Sequence, residues 1–224
     1  MEEQTREATD IFLWANTVDG LKKELDVELF LFNKNYTPYS TNFASELNAQ
    51  IKPMFLYDIL GFVTMGAGTG LSVRDFELSD GEENTLLRTD LEKVGRAETL
   101  LHLIEHERHD IMEFSEEEHE FKRIKGIAAK FTHKDDTTKS FYIIKMIQQS
   151  NVLKGATSWE FRDGKFGAFA AEVGFKLPSD NQVLIIDKDI FVFNQGKFER
   201  LFNYDYKKQA IADARVTEIE NQYK

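Results

Sequence analysis

The sequence predicts an α+β fold: a mixed N-terminal half followed by an antiparallel sheet flanked by helices. Three observations predict it. Before residue 110, segments with strand character alternate with segments of helical spacing. After it come short β-branched or aromatic runs bounded by turn residues, the pattern of an antiparallel sheet. From Asn194 onward the spacing is helical again. With 224 residues and 42% hydrophobic content, the chain has ample material for a core. Only 3 prolines argue against a long disordered linker. The organisation that follows is a mixed α/β portion over 1–110 and a sheet with C-terminal helices over 111–224, within one compact unit.

The elements are justified in order. The run "DVELFLFNK" (26–34) is nearly continuous in apolar residues and predicts a buried strand. In "TNFASELNAQIKPMFLYDIL", Phe43, Leu47 and Ile51 recur at helical spacing, and Pro53 should end or kink that helix near Lys52. "VTMGAGTGLS" (63–72) has three glycines but neither the dinucleotide spacing nor a phosphate-loop lysine, so it reads as a turn. "LSVRDFELSD" alternates like a strand and leads into an acidic, turn-rich loop through "GEENTLLRTD". "LEKVGRAETLLHLIEHE" sets Leu91, Val94, Leu101 and Ile104 broadly on one helical side, although Gly95 weakens it. "EFSEEEHE" is a solvated connection.

Strands follow in "FKRIKGIAAKF", "KSFYIIKMIQQ", "TSWEFRDGKFGAFA" and "NQVLIIDKDIFVFN". Asp163-Gly164 is a two-residue hairpin signal, because such turns need positive φ, which glycine tolerates. Its register pairs Phe161 with Phe166, Trp159 with Ala168, and Arg162 with Lys165 at the tip. Two helices end the chain. Asn194 can cap the first, and Phe198, Leu201 and Phe202 share its buried side.

Composition narrows function. The chain has no cysteine, which removes disulfides and thiolate chemistry and fits a reducing cytoplasm. Net charge is −11, yet its distribution is uneven. Residues 1–119 carry 10 cations against 25 carboxylates, whereas residues 120–176 carry 11 against 6, a balance of +5. Such a basic segment can contact a polyanion, because phosphate binding depends on the local field within a Debye length. It can equally dock on the chain's own acidic half. The candidate DNA-binding residues are Lys122, Arg123, Lys125, Lys130, Lys154, Arg162 and Lys165. Strand alternation places Lys122 and Lys130 on one face, Arg123 and Lys125 on the other. Strand alternation makes most of the interleaved aromatics core residues, so backbone-contacting duplex binding suits the segment better than base stacking.

Two patterns suggest an enzyme. "HLIEH" (102–106) has the H-x-x-E-H order in which two histidines one helical turn apart hold zinc beside a general base; His109 and His119 lie nearby. Its three fixed residues also describe ordinary surface histidines. Asp110 with Glu120 and Lys122 loosely follows the carboxylate–lysine order of a metal-dependent nuclease. In so acidic a stretch that order arises readily by chance. The sequence assigns no catalytic residue, no metal ligand and no cofactor, and a metal-dependent hydrolase or nuclease stands as the alternative.

The segment "NQVLIIDKDIFVFNQGKFERLFNYDYKKQA" (181–210) resembles the KwaB-like family of the Kiwa anti-phage defence system. The I-I-D–turn–I-F-V-F-N hairpin and the following K-F-E-R-L-F-N-Y carry the resemblance, with "KGIAAKF" and "KSFYIIKM" similar in order and character. It extends over roughly residues 110–210 and reaches the first hundred only in layout. Members of that family usually continue with further helical sequence where this chain ends at Lys224. The resemblance implies a cytoplasmic DNA-binding effector assembled beneath a KwaA-like integral membrane partner, and the reading taken with it is a homodimer that binds DNA without cutting it. It implies no catalytic residues. A non-DNA adaptor, whose positive sheet docks on an acidic partner, is the remaining reading.

Overall fold

The computed structural model describes residues 25–42, 53–56, 72–76, 85–115, 123–150, 158–162, 165–168, 174–178, 180–205 and 215. Its centre is an eight-stranded sheet in the order β2-β1-β5-β6-β11-β12-β4-β3. These strands are β1 (Leu25–Asn33), β2 (Pro38–Ser40), β3 (Ser72–Asp75), β4 (Thr85–Asp90), β5 (Ile124–His133), β6 (Ser140–Met146), β11 (Val183–Ile186) and β12 (Asp189–Val192). All neighbours are antiparallel except β3 and β4, which run parallel at one edge. The α+β class holds. Strands from the first hundred residues flank both sides of the later ones, so a single sheet draws on both portions of the chain.

A second sheet has the order β7-β10-β8-β9, from Gln148–Ser150, Gly174–Lys176, Ser158–Arg162 and Lys165–Ala168. The register of its β8–β9 hairpin is the one the Asp163-Gly164 turn predicts, including Arg162 opposite Lys165. The turn residues themselves lie outside the described residues, as do Val63–Leu71 of the glycine-rich stretch, the acidic connection from residue 116, and the second C-terminal helix apart from residue 215.

The main sheet is covered on both faces, which explains why β11 reads "VLII" with every residue buried. One face packs Phe30, Ala128, Ile144 and Val183 against both helices, α1 (Gly95–His106) and α2 (Gln195–Phe202). The other packs Ile127, Phe131, Ile143 and Leu184 against Phe55, Leu56 and Leu177. Residues 53–56 are helical, so the helical segment includes Pro53; residues 43–52 before it lie outside the described residues.

α2 forms as its sequence dictates. Asn194 accepts the Lys197 N–H at 3.0 Å, while Phe198, Leu201 and Phe202 are buried. Asn203 ends the helix in the left-handed region (φ 47), and the Tyr204 N–H closes back on the Glu199 carbonyl at 2.9 Å. α1 starts later than Leu91, after a 3-10 turn over Leu91–Lys93. Gly95 therefore occupies its first position rather than its interior, and Ala97, Leu100, Leu101 and Ile104 face the sheet. β4 is a strand where the sequence reading has a loop. It has no alternation to read, because neighbouring Leu86 and Leu87 are both buried, one against each core. Among the described residues no helix is long and apolar enough to cross a membrane.

Candidate nucleic-acid interface

β5 carries the basic segment, and an irregularity in it decides where the charges go. Phe32 of β1 faces Gly126, but Asn33 faces Ile124, so Lys125 is an extra residue on β5. A bulge of this kind shifts the alternation of every side chain before it. Gly126 beside it is required by space: a Cβ there would meet the Phe32 ring at 2.5 Å and the Lys145 carbonyl at 2.7 Å. The consequence corrects the strict alternation. Lys125 and Lys130 both reach the helix-covered face, Lys125 at the end of α2 and Lys130 beneath α1.

Their surroundings differ. The Lys130 ammonium donates to Glu105 Oε2 at 2.7 Å, and the Tyr142 hydroxyl donates to the other oxygen of the same carboxylate. Burial pushes the Glu105 carboxyl up, but the Lys130 and Tyr142 hydrogen bonds outweigh it and leave the group below its ordinary value. Burial, then the Glu105 carboxylate, push the Tyr142 phenol well above its ordinary value. The Lys125 ammonium instead donates to two neutral oxygens, Tyr36 Oη at 2.7 Å and Asn203 Oδ1 at 3.1 Å.

Tyr36 is fixed from several sides. Asn33 Oδ1 accepts the N–H groups of Asn35 and Thr37 and so orders the β1–β2 turn, in which Tyr36 takes a left-handed backbone (φ 66). The Tyr36 hydroxyl donates to the Leu201 carbonyl at 2.9 Å, and its ring stacks on Phe32 and Phe202. The Arg96 guanidinium, in the first turn of α1, lies 5.5 Å from the centre of that ring.

The remaining predicted residues divide. Arg123 is exposed just before β5, and its carbonyl accepts the Lys34 N–H, which ties it to the same turn. Lys165 is exposed on β9, opposite the backbone of Arg162. Lys122, Lys154 and the Arg162 side chain lie outside the described residues. Other lysines of the segment have partners within the chain: Lys134 stands 3.8 Å from Asp26, and Lys139 stands 3.1 Å from Asp136. Lys145 is fully buried, donating to the Pro178 carbonyl at 3.3 Å beside the Phe55 ring.

The histidine pattern lies on α1. His102 and His106 are exposed, with ring centres 4.8 Å apart, and line a cleft of about 300 Å³ with Glu98, Glu105, Tyr142 and Asp187. Among the described residues no group of three or more histidines and carboxylates is placed to hold a metal ion. His109 and Asp110 are exposed in a 3-10 turn, while His119, Glu120 and Lys122 lie outside the described residues.

Sequence reasoning did not single out Tyr36, Arg96 or Asn203. With Lys125 these are four positions far apart in the chain that meet only through the bulge and the helix ends, and no local pattern encodes that meeting. Comparison of the chain with protein-family models, curated proteins and solved structures finds no match.

Proposed function

We propose that the protein is an anti-phage defence effector that binds DNA without cutting it. In this reading it works in the cytoplasm as a homodimer, beside a KwaA-like integral membrane partner. The resemblance of residues 181–210 to the KwaB-like family motivates the biological role. That segment supplies β11, β12 and α2, whose residues are mainly core, so it speaks for the fold and not for a chemistry of its own.

The observation that carries the DNA reading is the state of Lys125. Its charge is met only by neutral oxygens and a ring among the described residues, at a half-buried position beside exposed Arg123. A cation without a carboxylate keeps its field for an outside anion, and phosphates supply such anions in series. The acidic remainder of the chain limits indiscriminate association. A second reading has its own support. Lys130, Lys134 and Lys139 each pair with a carboxylate of this chain, as expected if the positive strands serve internal docking or an adaptor.

A salt titration of duplex DNA with the purified protein separates the two. Binding through phosphates weakens linearly in log salt, with a slope of about −0.9 per phosphate neutralised. Arg123→Glu combined with Lys125→Glu should weaken binding equally on unrelated DNA sequences, since phosphate contacts carry no base information. The DNA should remain full-length when magnesium is present. Absence of binding at low salt rejects the DNA reading and leaves the adaptor.

A further inference from the structure

We infer that Arg96, Lys125 and Asn203, gathered around the Tyr36 ring, form a built anion site for a phosphate ester. The identity of its natural ligand, a backbone phosphate of DNA, rests on the reading above. The site itself rests on geometry.

Three irregular backbone features meet at this point. Tyr36 and Asn203 are two of the three non-glycine residues with positive φ among the described residues, and Lys125 is the bulged residue of β5. A bulky aromatic residue in the left-handed region is unfavourable by itself and persists only where its surroundings hold it. Here the Leu201 carbonyl, the Lys125 ammonium and the two stacked phenylalanines hold it. The result fixes two cations at a single ring. Lys125 sits at the hydroxyl and Arg96 lies over the ring, and among the described residues neither meets a carboxylate.

Two like charges within 5.5 Å and 4.9 Å of one ring centre repel, and the ring offsets only part of that repulsion. An anion removes the rest. The donor chemistry suits phosphate: the guanidinium offers a planar fork to two oxygens, and the ammonium adds a point charge. Asn203 is exposed and gives its oxygen to Lys125, which leaves its NH2 to donate outward. Arg96 also lies in the first turn of α1, whose N-cap Val94 supplies no side-chain acceptor to that turn. The positive end of the helix dipole therefore adds to the same field.

The experiment has two arms and three variants. Arg96→Gln removes the charge, and Arg96→Glu reverses it at a first-turn position where a carboxylate suits the helix dipole, so the fold should survive. Asn203→Asp tolerates the left-handed cap and sets a carboxylate beside Lys125; it serves if the Arg96 variants fail to fold. In the DNA arm, each folded variant should lower the magnitude of the salt slope by about 0.9, one phosphate contact. In the second arm, inorganic phosphate at matched ionic strength should raise the thermal midpoint of the wild type but not of the variants. If DNA binds the wild type and folded variants alike, with slope and phosphate effect unchanged, the site is overturned while the DNA reading stands. If the wild type ignores DNA but phosphate still raises its midpoint through Arg96, the site stands with another phosphate ester as ligand. If phosphate has no effect and DNA does not bind, both fail.

Discussion

Lys125 and Lys130 share a strand, a face and a residue type, yet one end of β5 consumes its charge and the other retains it. At the Lys130 end the ammonium lies beneath α1, with its side chain 14% exposed, and forms a closed set with Glu105 and Tyr142. At the Lys125 end the ammonium lies beside the C-terminus of α2 and touches neutral oxygens. A lysine under a helix is thus neither a binding residue nor a structural one by type. What decides is whether a carboxylate stands within reach of it.

The largest expected effect comes from removing the floor of the Lys125 end. Phe202 is fully buried, stacks on Tyr36 and packs on Phe198. Phe202→Ala should cost about 3–5 kcal/mol in urea unfolding, from lost burial plus the cavity left behind. Tyr36 would lose half of its stacking, and the Lys125 end would loosen before the Lys130 end. An unchanged unfolding midpoint would show that α2 is not packed as described.

The next effect belongs to the Lys130 end. Glu105→Gln keeps the acceptor for Tyr142 but leaves the Lys130 ammonium without its counter-charge. Because the Glu105 side chain is 35% exposed, solvent screens the pair, and the loss should be about 1–2 kcal/mol rather than that of a fully buried pair. The pH dependence follows from the directions of the shifts. Glu105 lies below its ordinary value, so its contribution is present above the unfolded value of about 4.3 and disappears as pH falls through the folded one. Tyr142 is raised, so its contribution is present below the unfolded value of about 10 and disappears as pH climbs beyond it. Glu105→Gln should flatten the acid limb of a stability–pH curve. A limb of unchanged slope would place the acid lability elsewhere.

How much of this is legible in sequence depends on the range of the cause. α2 is legible because its cap and its apolar spacing are local: Asn194, Phe198, Leu201 and Phe202 lie within one short segment. The β8–β9 register is legible because a two-residue turn fixes it. β4 escapes notice because a strand buried on both faces has no alternation. The facing of Lys125 escapes for a different reason. A bulge is a property of two paired strands, and β1 and β5 are separated by the whole first portion of the chain. The pairing of Lys130 with Glu105 joins a strand to a helix, so a charge tally over 120–176 counts Lys130 as available when Glu105 neutralises it. The residues the sequence offers for DNA therefore include one that is ion-paired within the chain, and the proposed site adds Arg96, which lies in a segment where carboxylates outnumber cations.

The smallest expected effect on stability is also the sharpest division between the two ends. Lys130→Met should lower stability by about 1 kcal/mol, because the Glu105 carboxylate loses its charged donor and keeps only the Tyr142 hydroxyl. It should leave the DNA salt slope unchanged, since its charge is already neutralised. Lys125→Met should do the reverse. Its methylene stem is largely retained, and the Tyr36 hydroxyl still donates to the Leu201 carbonyl, so no buried polar group is stranded. The stability cost should stay within about 0.5 kcal/mol, while the slope magnitude falls by about 0.9. Urea unfolding and salt titration of both variants, measured side by side, give four numbers whose pattern must cross. If Lys125→Met destabilises as much as Lys130→Met and leaves the slope untouched, Lys125 is a helix-end contact like any other. The distinction between the two ends of β5 then disappears.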